Sequence, residues 1–188
     1  MIELSAPICI IDTNVLHPLW VRDILFWFAY YDLLRLAWTD DILKEWVEVM
    51  RRKRLSEDLI INRIKKVNKA FPEAKIEDYQ PYLDCLDLPD KDDRHVVAAA
   101  IKTNAKFVIT YNLKDFPSNK LSQYKIMAID PDTFISNCIT RNESTSILAF
   151  RSLVETKSNP KLPISEVIDI LHNNGLIKTA KHLRTIIK

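Results

Sequence analysis

Four acidic residues stand where carboxylates could do chemistry: Asp12, Glu45, Asp93 and Asp115. Asp12 closes the apolar run PICIID, Asp93 opens the Ala-rich stretch RHVVAAAI, and Asp115 follows the apolar run FVIT by a few residues. Carboxylates crowded together raise one another's pKa and destabilise a fold, a conflict that a divalent cation resolves. Oxygen donors without a paired Cys or His suit Mg²⁺ or Mn²⁺ and not zinc. Such an ion lowers the pKa of water and stabilises the attacking and leaving oxygens of a phosphodiester displacement. It also reverses the local sign of charge, so that a polyanion can approach an acidic pocket.

The elements that would bring these acids together are legible in the spacing of apolar residues. Residues 7–12 read as a buried strand with Asp12 at its carboxyl end, and residues 106–110 as a second buried strand. Residues 34–38 and 125–129 supply two further short strands. Between them the pattern predicts a helix over residues 16–34 and another opening at Thr39, whose hydroxyl caps it ahead of Asp40 and Asp41. That register sets Glu45 beside the apolar face carrying Ile42, Trp46 and Val49. Ser56 caps the next helix, Phe71-Pro72 stops it, and Asp130-Pro131 starts a later one. Alternation of strand and helix predicts an α/β fold, in which ligands bind at the carboxyl edge of the sheet. From Asn142 onward only helices are predicted, over residues 144–155, 164–173 and 176–187, with residues 157–163 as a joint. The expected division is residues 1–140 and a helical extension over 141–188.

Composition limits the alternatives. The hydrophobic fraction of 47% and charged fraction of 28% are those of an ordinary globular chain, and the net charge of +2 implies no nucleic-acid partner by itself. A lone glycine, Gly175, excludes a Gly-rich phosphate loop or dinucleotide fingerprint. Cys9, Cys85 and Cys138 are odd in number and far apart, which argues for a reducing compartment and a cytoplasmic address. The apolar run ending at Asp12 is too short for a signal peptide. Residues 19–38 carry four charges and do not read as a spanning helix.

These motifs resemble a PIN domain along about the first 135 residues. IDTNVL (residues 11–16) resembles the family's opening strand and first acid, and Glu45, six residues after Thr39, its second. DDRHVVAAAI (92–101) is similar to its third-acid helix, with Asp93 as the match, and FVITYNLKDF (107–116) to its fourth strand. The branch most resembled is that of VapC-like toxins with a helical C-terminal extension, similar here to residues 151–184. The resemblance implies a three-layer α/β/α fold around a parallel sheet. It also implies a Mg²⁺- or Mn²⁺-dependent ribonuclease, typically a homodimer, silenced by a cognate antitoxin. Many relatives carry the fourth acid at the position of Asn112; here only Asp115, three residues on, is charged. An Asn can hold an ion or its water, with weaker attraction.

Duller roles stand beside each residue. Asp12 and Asp115 could be turn residues, Glu45 a solvated helix residue, and Asp90 and Asp92 helix-start charges, with Asp90 also an outer support for the site. Thr13, Asn14 and Thr110 could orient Asp12 or cap a strand end, while Arg94 reads as pairing with a nearby carboxylate. The basic run RRKR (51–54) and Lys65, Lys66 and Lys69 read as a solvated face before an RNA flank, and the tryptophans as core or dimer interface. The last two helices faintly suggest a helix-turn-helix. Two other functions compete. A haloacid-dehalogenase phosphatase needs DxDx[TV], and Asn14 stands where its second Asp belongs. A silent PIN-like scaffold would bind RNA or a partner without cutting.

Overall fold

The computed structural model describes residues 6–157 and 160–187. Four short apolar segments form its sheet: β1 (Ile8–Ile11), β2 (Arg35–Ala37), β3 (Phe107–Ile109) and β4 (Met127–Ile129). All pair in parallel, in the order β2-β1-β3-β4, with Ile10 opposite both Ala37 and Val108 and Val108 opposite Ala128. Continuous apolar runs suit strands covered on both faces, and Cys9, Ile10, Val108 and Ile109 are fully buried. The ladder runs one step past the strands. The Asp12 amide donates to the Ile109 carbonyl (3.1 Å) and the Thr110 amide to that of Ile129 (3.0 Å). Because β2 and β3 flank β1 on opposite sides, the chain reverses its winding there, and the crevice of such a sheet opens where Asp12 and Thr110 emerge.

The described chain divides into two compact units, one of residues 7–17 and 35–129, the other of residues 6, 18–34 and 130–187. In the sheet unit, α1 (Thr13–Leu16) follows β1 directly. The single helix expected over residues 16–34 is corrected. The chain breaks at Pro18, which has no amide to carry the helical ladder past α1 and caps α2 (Leu19–Tyr30) in extended conformation. The next helix, α3 (Asp40–Arg52), starts as the sequence dictates, with the Thr39 hydroxyl accepting from the Ile42 amide (3.2 Å) and Trp46 fully buried. It is followed by α4 (Glu57–Ala70), capped by Ser56. Residues 71–93 contain one 3₁₀ turn (Gln80–Tyr82) and a bridge from Lys75 to Trp38. Then α5 (Arg94–Thr103) packs on β1 and β3. Its Ala98, Ala99 and Ala100 are fully buried, and only so small a face lets helix and sheet lie close. A short α6 (Ser118–Leu121) precedes β4.

The other unit is helical. It contains α2, α7 (Pro131–Arg141), α8 (Glu143–Thr156), α9 (Ile164–Asn173) and α10 (Ile177–Ile186), with α2 against α8 and α10 against both α7 and α9. Asp130 caps α7 through the Thr133 amide (2.9 Å). Buried Asp132 accepts from the amides of Lys178 and Thr179, each at 2.8 Å, and so caps α10 from another helix. Gly175, at φ +88°, takes the left-handed turn that closes α9 and turns the chain into α10. Of the expected joint, Ser158 and Asn159 lie outside the described residues.

Candidate active site

Every sequence-predicted site residue falls in the sheet unit. Asp12 follows β1 and is 6% exposed. Its Oδ2 accepts from the buried Thr110 hydroxyl (2.6 Å) and from Asn14 Nδ2 (2.6 Å), whose amide also reaches Thr110 Oγ1 (3.1 Å). Asn14 Oδ1 in turn accepts from the Tyr111 amide (3.1 Å), and Thr110 Oγ1 from the Asn112 amide (2.9 Å). Hydroxyl and amide thus clamp the ends of β1 and β3 around one carboxylate. Burial pushes the Asp12 carboxyl up, the Thr110 hydrogen bond opposes it, and the Glu45 charge adds to the rise.

Glu45 comes from the second turn of α3 and is held at both oxygens. Thr13 Oγ1 donates to Oε2 (2.5 Å), and His95 Nε2 lies 2.9 Å from Oε1. Burial opposes its ionisation, but the bonds from His95 and Thr13 outweigh it and keep the carboxyl below its usual range. Asp93 sits at the entry of α5 without spending its side chain on a cap. Desolvation first, then the charges of Asp12, Asp90 and Asp115, push its carboxyl up to about 6. Asp115, in a 3₁₀ turn after β3, accepts from Asn112 Nδ2, so the two alternatives for the fourth position form one hydrogen-bonded pair. Asp90 is exposed and takes the Asp92 amide (2.9 Å) while adding its charge toward Asp93.

The carboxylates therefore share one electrostatic field at the carboxyl edge of the sheet. Among the described residues, however, no three His, Cys, Asp or Glu side chains stand close enough to hold one ion between them. The donor set still fits a hard cation in kind. Mg²⁺ typically takes one or two carboxylates directly and keeps several waters, through which further acids act. The charge of Glu45 on Asp12, and of Asp12 on Asp93, is the conflict that such a cation relieves.

Two features differ from the sequence reading. Arg94 donates to the Lys91 carbonyl (3.0 Å) instead of pairing with a carboxylate. His95, two residues past Asp93 and 9% exposed, joins the site through Glu45 across 50 positions of sequence. Its signal was its place in the first turn of the acid-bearing helix. Elsewhere Arg51 is taken up by Glu48 and Glu57 (2.6 and 2.8 Å), and Trp38 and Trp46 are core residues.

Residues 9–114, more than half of the chain, match the family model described as PIN domain. The chain belongs to the PIN domain family. Residues 131–185 match a second model, the VapC50 C-terminal domain, so the PIN domain is followed by an extension of VapC type. A protein of Mycobacterium tuberculosis named "Putative ribonuclease VapC50" is 33% identical over 79 residues, 42% of this chain. The match covers 47% of that protein, about half its length. No solved structure matches the chain at a significant level.

Proposed function

We propose that the chain is a Mg²⁺- or Mn²⁺-dependent endoribonuclease, the toxin of a type II toxin–antitoxin pair, acting on RNA in the cytoplasm. The observation that carries this reading is the electrostatic field that Asp93 shares with Asp12 and Asp115, and Asp12 with Glu45, at one sheet edge. Family membership and the likeness to the mycobacterial protein support the same substrate class. A divalent cation held by these four acids would neutralise the phosphate and make water a stronger nucleophile at neutral pH. Thr110 and Asn14 fix the Asp12 carboxylate, and Thr13 fixes that of Glu45, so neither must reorient as a phosphodiester arrives. Asn112 holds Asp115 for the fourth position, with Asp90 as an outer charge.

In the same proposal residues 1–140 form the nuclease and 141–188 the extension. Helix α2 packs on α8, so a chain cut at 140 would expose that apolar face. The partners are a cognate antitoxin and a second copy of the chain. The aromatic cluster of exposed Tyr30 with half-buried Phe26, Trp27 and Tyr31 is the proposed part of the dimer contact, although Tyr31 already bonds Ser152 (2.8 Å). An unchanged native dimer mass in Trp27→Ala would remove that assignment.

The test is cleavage of labelled single-stranded RNA by purified protein with Mn²⁺, with Mg²⁺ or with EDTA. Cutting that needs the ion is expected; cutting that survives EDTA would contradict the reading. The wide spacing of the acids favours one alternative, a silent scaffold that binds RNA without cutting. RNA binding without cleavage in any ion, with Asp12→Asn binding as well as wild type, would establish it.

A further inference from the structure

Glu45 is half-buried, and its orientation is set by side chains on two other elements, α1 and α5. Its Oε2 takes the Thr13 hydroxyl (2.5 Å) and its Oε1 faces His95 Nε2 (2.9 Å). The far side of the His95 ring is anchored too: Nδ1 lies 3.4 Å from the hydroxyl of Thr39, which is itself fully buried. The Thr39 oxygen already accepts from the Ile42 amide (3.2 Å), which leaves its proton to point at the ring, with the Tyr79 hydroxyl as the other acceptor beside it. Nitrogen facing a carboxylate must carry the proton, which fixes the neutral ring as the Nε2–H form with Nδ1 accepting from Thr39. The donors then run in one direction, from Thr39 to His95 to Glu45. Glu45 is left as a pure acceptor in a fixed pose, with Thr13 holding its other oxygen.

We infer that His95 is the positioning residue for Glu45, presenting its carboxylate to the acid-lined sheet edge through the chain Thr39–His95–Glu45. The inference rests on the proposed ion-dependent reading of that site. A carboxylate that meets an ion needs its remaining lone pairs aimed, and an imidazole donor locked from behind does this better than a mobile water. The arrangement also ties the capping residue of α3 to the first turn of α5, so the cap that starts α3 doubles as a support of the site. His95 reaches the site by its hydrogen bond to Glu45.

Two readouts test this. In the metal-free protein, ¹⁵N NMR of the imidazole is expected to show His95 protonated on Nε2, with a slowly exchanging proton that is lost in Glu45→Ala. By calorimetry, His95→Leu is expected to weaken Mn²⁺ binding about tenfold, while His95→Gln, which keeps a donor near Oε1, stays within about threefold of wild type. In a Glu45→Gln background the His95→Leu change should cost no more than about twofold, because the partner it acts through is already gone. A ring protonated on Nδ1 alone, or losses that simply add in the double variant, would overturn the inference. If wild type binds no Mn²⁺, the ion-dependent reading fails, and the NMR result still decides the role of His95.

Discussion

Asp12 and Asp132 are buried to the same degree, 6% and 7% exposed, one in each unit of the chain. Asp132 is spent on structure, accepting two backbone amides that open α10. Asp12 also accepts hydrogen bonds, from Thr110 and Asn14, but it stands among other acids that its fold has no need to gather. One unit buries an acid to finish a helix; the other buries one against its own kind. Burial therefore does not separate a candidate site carboxylate from a structural one. What faces it does.

The largest expected contrast is in activity. Asp12→Asn and Asp93→Asn should each lower metal-dependent RNA cleavage by roughly a hundredfold or more, about 3 kcal/mol of barrier. Asp132→Asn should leave the rate per folded molecule unchanged. Stability should show the reverse order. In urea denaturation, Asp132→Ala should cost about 2–3 kcal/mol, since two buried amides lose a charged acceptor. Asp12→Asn should cost less, because relief of repulsion offsets the lost hydrogen bonds. Equal losses would break the comparison.

Two smaller effects sharpen it. Mn²⁺ at ten times its Kd should stabilise wild type by about 1.4 kcal/mol, seen as a raised melting temperature absent in Asp93→Asn. The Asp93 carboxyl, pushed from 3.8 to about 6, makes the folded chain bind more protons than the unfolded one between those values. Stability from this group is therefore greatest below pH 4 and falls as pH rises toward 6. After solvent screening of a half-exposed side chain the fall is on the order of 1 kcal/mol. It should be seen in EDTA and be missing in Asp93→Asn.

The local parts of this architecture were legible in the sequence because their causes are local. Thr39 and Asp130 announce their helices by chemistry spanning four residues, and both hydrogen bonds are present. Asp12 was legible because an acid ending a buried strand has one place to go. The apolar spacing over residues 16–34 runs through Pro18, whose missing amide interrupts the helical ladder that the spacing suggests. The choice between Asn112 and Asp115 could not be made from charge alone, since the structure joins the two. His95 was hidden for a different reason. A contact 50 residues away leaves no periodicity, and only the packing of α3 and α5 in the same unit shows what its ring faces.

The central claim is that the acids at the sheet edge act together on one cation, and calorimetric titration of the metal-free protein with Mn²⁺ tests it most directly. Wild type should bind a single ion, with the heat abolished in Asp12→Asn and in Asp93→Asn and kept in Asp132→Asn. Unchanged binding in the first two variants would place the ion elsewhere and contradict the account.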